Sequence, residues 1–286
     1  MKHDVRSRLM LICAMAIFGT LAPLVRNIQV SSAELSLYRA VLAAALIGVF
    51  LIVTKRKLTV KGLKKELLLL MLSGMSMAIN WILLFEAYKY TTVAISTLSY
   101  YFAPVLVTVL SSFLFREKLT KKQILCFLMS TLGLVLVTGI TDLGSGSNDA
   151  VGILFGLGAA VFYATTILLN KFIKGVGGIQ RTFLQFLAAI AVMIPYVALS
   201  GGVTLGNLDG TGWICLLVVG LVYTGITYCM YFTAVERIPG QEVAILSYID
   251  PLVAVVVGVV VLGEPLSLQQ LIGGAMVLGF TLWNEL

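Results

Sequence analysis

Ten apolar runs of roughly 18–23 residues follow one another along this chain with almost nothing between them. A helix rises about 1.5 Å per residue, so each run is long enough to cross about 30 Å of hydrocarbon. The runs cover 9–27, 34–54, 66–88, 92–115, 122–140, 150–170, 181–200, 211–233, 241–262 and 267–285. The longest connections, 55–65, 141–149 and 201–210, are too short to hold a soluble domain. Composition agrees: 59% of the 286 residues are hydrophobic and 12% charged, where soluble domains have about 45–50% and about 25%. The expectation is an all-α, integral, multi-pass membrane protein with ten transmembrane helices. The first run has the basic start and apolar middle of a secretory signal, but it has a counterpart in the second half of the chain and is read as helix one.

The net charge of +7 invites a nucleic-acid partner, so its distribution matters. With the N-terminus in the cytoplasm, 17 of the 20 basic residues fall on cytoplasmic segments, in clusters such as Lys55-Arg56-Lys57 and Lys118…Lys121-Lys122. Only Arg26 and Lys89 lie outside, and Arg39 lies within helix two. Enrichment of cytoplasmic loops in Lys and Arg accounts for the excess and puts both termini in the cytoplasm. The lipid bilayer is the partner this implies, with a bacterial cytoplasmic membrane as the setting and no nucleic acid. Cys13, Cys126, Cys215 and Cys229 all sit in apolar runs without the spacing of a metal site, so no metal or other cofactor is expected.

Two stretches are near twins. "LSYYFAPVLVTVL" (98–110) and "LSYIDPLVAVV" (246–256) both place Leu-Ser-Tyr ahead of a proline. Setting Pro104 on Pro251 gives an offset of 147 that also pairs Phe85 with Phe232, Ala87 with Ala234, Tyr101 with Tyr248, Glu117 with Glu264, Gln123 with Gln270 and Met129 with Met276. Two five-helix halves follow, 1–140 and 141–286. Five is odd, so the second half enters the membrane from the opposite side. The loops fit: "REKLTKK" after helix four is strongly basic, whereas "GEPLSLQ" after helix nine has no basic residue. Inverted repeats of this kind build transporters that alternate access around a site near the bilayer midplane.

The pattern Pro104…Glu117-Lys-Leu119…Gln123, repeated as Pro251…Glu264-Pro-Leu266…Gln270, resembles the drug/metabolite transporter superfamily and within it the EamA-type ten-helix exporters. The resemblance spans essentially the whole chain. It implies export of amino acids, other small metabolites or drug-like compounds through a central cavity lined mainly by helices three, four, eight and nine, with one and six contributing. The position matching Asp250 in the first half is Ala103, so a role for Asp250 belongs to this chain and not to the family pattern.

The polar residues divide by setting. Thr120-x-x-Gln123 and Ser267-x-x-Gln270 fit capping boxes that close the N–H groups opening helices five and ten. Glu117 and Glu264, just before those starts, are read as favouring the positive helix ends. Pro104 and Pro251 each delete a helix bond and free the carbonyls of Tyr100 and Ser247, predicting kinks that serve packing or a cavity wall. Asp250 lies about nine residues into helix nine, roughly 13 Å deep, where an acid faces the bundle interior or water. It reads either as a proton carrier or counter-charge for a substrate, or as a structural carboxyl bonded to backbone or tyrosine. For Arg39 the nearer partner is Glu34, with snorkelling outward as an alternative; direct pairing with Asp250 would need helices two and nine to touch. Glu86 reads as interfacial.

Helix eight carries a stripe of Thr224, Thr227, Tyr228 and Tyr231. The 147 offset places Asn80 and Trp81 of helix three opposite Thr227 and Tyr228. Helix four adds Thr97 and Tyr101, helix six Tyr163, Thr166 and Asn170, and helix nine Ser247 and Tyr248 beside Asp250. Each alone fits helix–helix bonding; together they describe a pocket of aromatic walls with a few hydroxyls and amides. The expected function is secondary transport of small organic solutes, foremost amino acids or related metabolites, with proton coupling through Asp250 as one form. Phosphorylated, nucleotide-sugar or drug-like cationic solutes are alternatives, and a channel or membrane scaffold is a different class. A phosphate-loop motif is absent, and the lone histidine, His3, lies in the N-terminal tail, which argues against ATP drive and intramembrane catalysis.

Overall fold

Every expected run is helical over its described residues, but four of them are interrupted, and the interruptions shape the molecule. The computed structural model describes residues 2–55, 63–115, 119–137, 149–200, 202–235, 237–238 and 240–286. The helices are α1 (Lys2–Gly19), α2 (Leu21–Arg26), α3 (Ser32–Val53), α4 (Leu63–Tyr90), α5 (Val93–Tyr100), α6 (Ala103–Phe115), α7 (Lys121–Val137), α8 (Asp149–Phe172) and α9 (Gly178–Leu199). They continue with α10 (Gly210–Leu217), α11 (Thr227–Val235), α12 (Gly240–Ser247), α13 (Ile249–Val260) and α14 (Leu268–Glu285). A π-helical segment, Val218–Ile226, joins α10 to α11 in one rod. Among the described residues, seven helical stretches are long and apolar enough to cross a membrane, and Ile245–Val260 is a shorter apolar one. Their outer surface is hydrocarbon: Leu199, Ile52 and Phe113 are each more than three-quarters exposed.

Proline explains three of the four breaks. It has no N–H to donate, which a helix tolerates only in its first turn, where that N–H has no intrahelical acceptor. Pro23, Pro104 and Pro251 are the third, second and third residues of α2, α6 and α13. The kinks expected at Pro104 and Pro251 are therefore complete interruptions, at Tyr101–Phe102 and at Tyr248. The fourth interruption is the π segment, where threonine hydroxyls reach five residues back. Thr224 Oγ1 donates to the Val219 carbonyl and Thr227 Oγ1 to the Val222 carbonyl, both at 2.8 Å.

The packing brings the two halves of the chain together. Helix α4 lies on α8 and α9, and α3 on α9 and the π segment; α1 lies on α11 and α13, and α8 on α5 and α6. Helix α7 packs on α14 at two facing glycines: a side chain at Gly133 would meet the Gly273 carbonyl at 2.7 Å, and one at Gly273 would meet the Gly133 carbonyl at 2.5 Å.

The caps form as the sequence suggests. Thr120 and Gln123 exchange backbone and side-chain bonds at 2.8 and 3.2 Å, as do Ser267 and Gln270 at 2.9 and 3.1 Å. Glu86 pairs with Lys89 at the surface at 2.9 Å. Glu264 departs from expectation. Gly263, with φ of +65°, lets the chain turn back after α13, where the Leu262 N–H closes on the Val257 carbonyl. That turn buries Glu264 against α5 instead of α14: its carboxylate accepts from the Val93 N–H at 2.8 Å and pairs with Arg26 at 2.7 Å. Glu117 and the 140/141 boundary between the expected halves lie outside the described residues.

Candidate functional site

The broken rods and the stripes they carry enclose a central cavity of about 410 Å³. From α4 come Met77, Asn80, Trp81, Leu84 and Tyr88, whose spacing of three, one, three and four residues keeps them on one helix face. Thr97, Tyr100 and Tyr101 enter from the end of α5, and Tyr163, Thr166 and Asn170 from α8. The opposite wall is Tyr228, Tyr231 and Phe232 of α11, with Ser247 and Asp250 flanking the interruption between α12 and α13. Helices α1 and α2 contribute Met15, Phe18 and Ala22. A volume of this size, walled by aromatic rings and set with amides, hydroxyls and charged side chains, has the character of a small-molecule site.

Eleven of the pocket residues singled out in the sequence thus line one space: Asn80, Trp81, Thr97, Tyr101, Tyr163, Thr166, Asn170, Tyr228, Tyr231, Ser247 and Asp250. Thr227 does not, because its hydroxyl is taken up by the Val222 carbonyl within the rod. Tyr248 is buried against Tyr101, ring centroids 6.4 Å apart, outside the cavity wall. Pro104 and Pro251 act through the breaks they make. Asn80 combines two duties, since its amide also donates to the Ala159 carbonyl at 2.7 Å and so ties α4 to α8.

Asp250 is held by the other interruption. Tyr101, at the break after α5, donates its hydroxyl to Asp250 Oδ2 at 2.7 Å. This is the tyrosine partner of the structural reading, set in the cavity that the functional reading requires. The rings continue outward from there: Tyr100 packs edge-on to Tyr101 and against Tyr163, at 5.7 and 5.3 Å. Across the cavity Tyr228 touches Phe18, Phe186 and Phe232 at 5.3, 5.5 and 6.0 Å.

Arg39 corrects the sequence reading. Its expected partner, Glu34, is five residues away, which places the two about 140° apart around the helix. Glu34 instead completes the Ser31 capping box and accepts from the Thr204 N–H and hydroxyl at 2.6 and 2.7 Å. Arg39 turns inward, 3% exposed, with its guanidinium 4.3 Å from the Trp81 ring centroid and 5.2 Å from that of Phe85. Nor does it meet Asp250: among the described residues no carboxylate lies within 4.0 Å of it. Helices two and seven, absent from the expected lining, both contribute, through Arg39 and through Arg181, Thr182 and Gln185. Gln185 donates to Ser73 Oγ at 2.5 Å and to Asn170 Oδ1 at 2.7 Å, a polar knot that joins α4, α8 and α9 at one end of the cavity.

Signals for the overlooked residues were present in part. Tyr100 adjoins Tyr101, and both reach the cavity because α5 ends between them and α6. Arg39 is an ionisable residue at membrane depth, the type that marks interior sites by default. Gln185 carried no such signal, since an amide in an apolar run reads equally as helix–helix bonding.

The sequence model of the EamA-like transporter family matches this chain twice, over residues 6–139 and over residues 150–284. The uncharacterized transporter YxxF of Bacillus subtilis (strain 168) is 30% identical over 270 residues, 93% of this chain and 85% of that protein. An uncharacterized transporter of Archaeoglobus fulgidus is 32% identical over 202 residues, 70% of each chain. Protein PecM of Dickeya dadantii (strain 3937) is 26% identical over 251 residues, 86% of this chain and 81% of its own. A solved crystal structure with 18% identity superposes at a TM-score of 0.67, covering 96% of this chain and 94% of the other, a likeness of fold.

Proposed function

The chain belongs to the EamA-like transporter family and is an integral multi-pass membrane protein, and from that premise we propose that it is a secondary transporter exporting small organic solutes, foremost amino acids or related metabolites. In this reading ten membrane-crossing helices form two inverted five-helix repeats, 1–140 and 141–286, both termini are cytoplasmic, and the central cavity is exposed to the two sides in turn. The observation that carries it is the meeting of the two interrupted helices in that cavity, with Tyr101 bonded to Asp250. Interrupted helices whose free ends face a midplane cavity are how inverted-repeat transporters build solute sites.

Further support comes from the packing. Exchanging the halves helix for helix turns the contact of α4 with α8 into that of α11 with α1, and the contacts of α5 and α6 with α8 into those of α12 and α13 with α1; α7 with α14 and α3 with α9 map onto themselves. The family match falls once in each half. The proposed site comprises the eleven cavity residues named above, with Asp250 as the titrating group in a proton-coupled form of the cycle.

Counterflow tests this reading. Purified protein in proteoliposomes, preloaded with a mixture of unlabelled amino acids, should admit labelled amino acids saturably. Run at two pH values beside Asp250→Asn, wild type should show pH-dependent exchange, and the variant should lose exchange at least tenfold or lose its pH dependence. Unchanged exchange in the variant would reduce Asp250 to a structural carboxyl.

A further inference from the structure

Among the described residues three charged side chains line the cavity, and one of them, Arg181, rests on the Asn170 and Ile173 carbonyls at one end. The other two, Arg39, which is buried, and Asp250, which is half-buried, are of opposite sign, and among the described residues neither is paired with a counter-ion. Among the described residues the one hydrogen bond from the Arg39 guanidinium runs from Nε to Thr224 Oγ1, at 3.0 Å. That hydroxyl is itself fixed, because it donates to the Val219 carbonyl across the wide turn of the π segment. The bond therefore sets the plane of the guanidinium and leaves both terminal amino groups for another acceptor. Trp81 and Phe85 supply only ring faces, which attract a cation far less than a carboxylate does once water is excluded. Asp250 has Tyr101 on one oxygen, with no basic side chain within 4.0 Å among the described residues. The lining around them is rich in tyrosine, with Tyr88, Tyr100, Tyr101, Tyr163, Tyr228 and Tyr231 all on the cavity wall.

Isolated charges at such depth are costly unless something completes them. A solute with one charge would satisfy one of these and leave the other buried alone, and a bare cation would also meet repulsion from Arg39. We infer that, given the transport function proposed above, the site is built for a zwitterion. The solute carboxylate sits on the free edge of Arg39, its ammonium at Asp250, and an apolar or aromatic body lies on the tyrosine walls. Arg39 is then a specificity-determining residue: two parallel N–H donors match a carboxylate in a way a lysine cannot. It selects α-amino acids over amines, and Asp250 selects them over carboxylic acids.

The experiment is competition against counterflow by compounds that share a body and differ in charge. One set is phenylalanine, phenethylamine and 3-phenylpropionate; the aliphatic set is leucine, 3-methylbutylamine and 4-methylpentanoate. In wild type the zwitterion of at least one set should compete at least tenfold more strongly than its amine and its acid. Arg39→Gln should erase the advantage over the amine alone, and Asp250→Asn the advantage over the acid alone. Arg39→Lys, which keeps the charge and loses the fork, should keep the order with a narrower gap. The wild-type order decides the matter even where a variant does not fold. An amine or an acid competing as well as its zwitterion in both sets overturns the assignment and leaves transport standing. No saturable exchange of any of the six compounds or of the amino-acid mixture overturns both.

Discussion

Residues 93–104 and 240–251 interrupt their rods at the same relative place: α5 ends at Tyr100 and α12 at Ser247, and Pro104 and Pro251 follow four residues later in each. The side chains ahead of the prolines differ. Ala103 is 1% exposed and packed as filler, whereas Asp250 faces the cavity. The backbone break is thus separable from the chemistry it supports, since proline chemistry opens both rods in the same way and a single residue decides which opening carries charge. The halves also complete each other, because the hydroxyl that holds Asp250 comes from Tyr101 at the other break.

The most severe way to break this comparison is to make the openings alike. Ala103→Asp places a carboxyl in a packed position with no donor built for it and should cost on the order of 3–5 kcal/mol, the scale of an uncompensated buried charge. Loss of a monodisperse peak in fluorescence-detected size exclusion, or a sharply lowered thermal transition, would register it. Wild-type behaviour would mean that the first opening is as polar as the second.

A second test removes one hydroxyl from each break. Tyr101→Phe deletes the bond to Asp250, and hydrogen bonds to charged groups contribute about 1.5–3 kcal/mol. Apparent affinity in counterflow should fall about tenfold or more. Tyr248→Phe, outside the cavity wall, should change it by less than about threefold on the same affinity scale. Equal losses would erase the distinction between the two sides.

The smallest effect is also the most even. Thr120→Ala and Ser267→Ala each remove one cap of the same design, and each should lower stability by about 1 kcal/mol. Thermal melting of the two variants in detergent should give matching shifts, since both boxes sit at helix starts and not in the cavity.

Much of the candidate site was legible because it follows periodicity. Stripes at three- and four-residue spacing in α8 and α11 fix which side chains share a face, the 147-residue offset extends the reading to Asn80 and Trp81 of α4, and those faces turned inward together. The stripe failed at Thr227, where the π segment changes the number of residues per turn and a hydroxyl finds a carbonyl five residues back. It could not anticipate Arg181 or Gln185 of α9, whose inward face is set by packing on α3 and α4.

What the sequence determined by itself is local: which stretches are helical and apolar, where capping boxes open them, and where proline interrupts them. These depend on hydrogen-bonding capacity and side-chain type along a few turns of chain. Tertiary structure alone decided the destinations of the charges. Glu264 caps α5 and not the helix it precedes, and Arg39 turns from Glu34 toward Trp81 and the cavity. A long or mobile side chain near a turn can reach several neighbours, and only the packed arrangement of helices settles which of them is within reach.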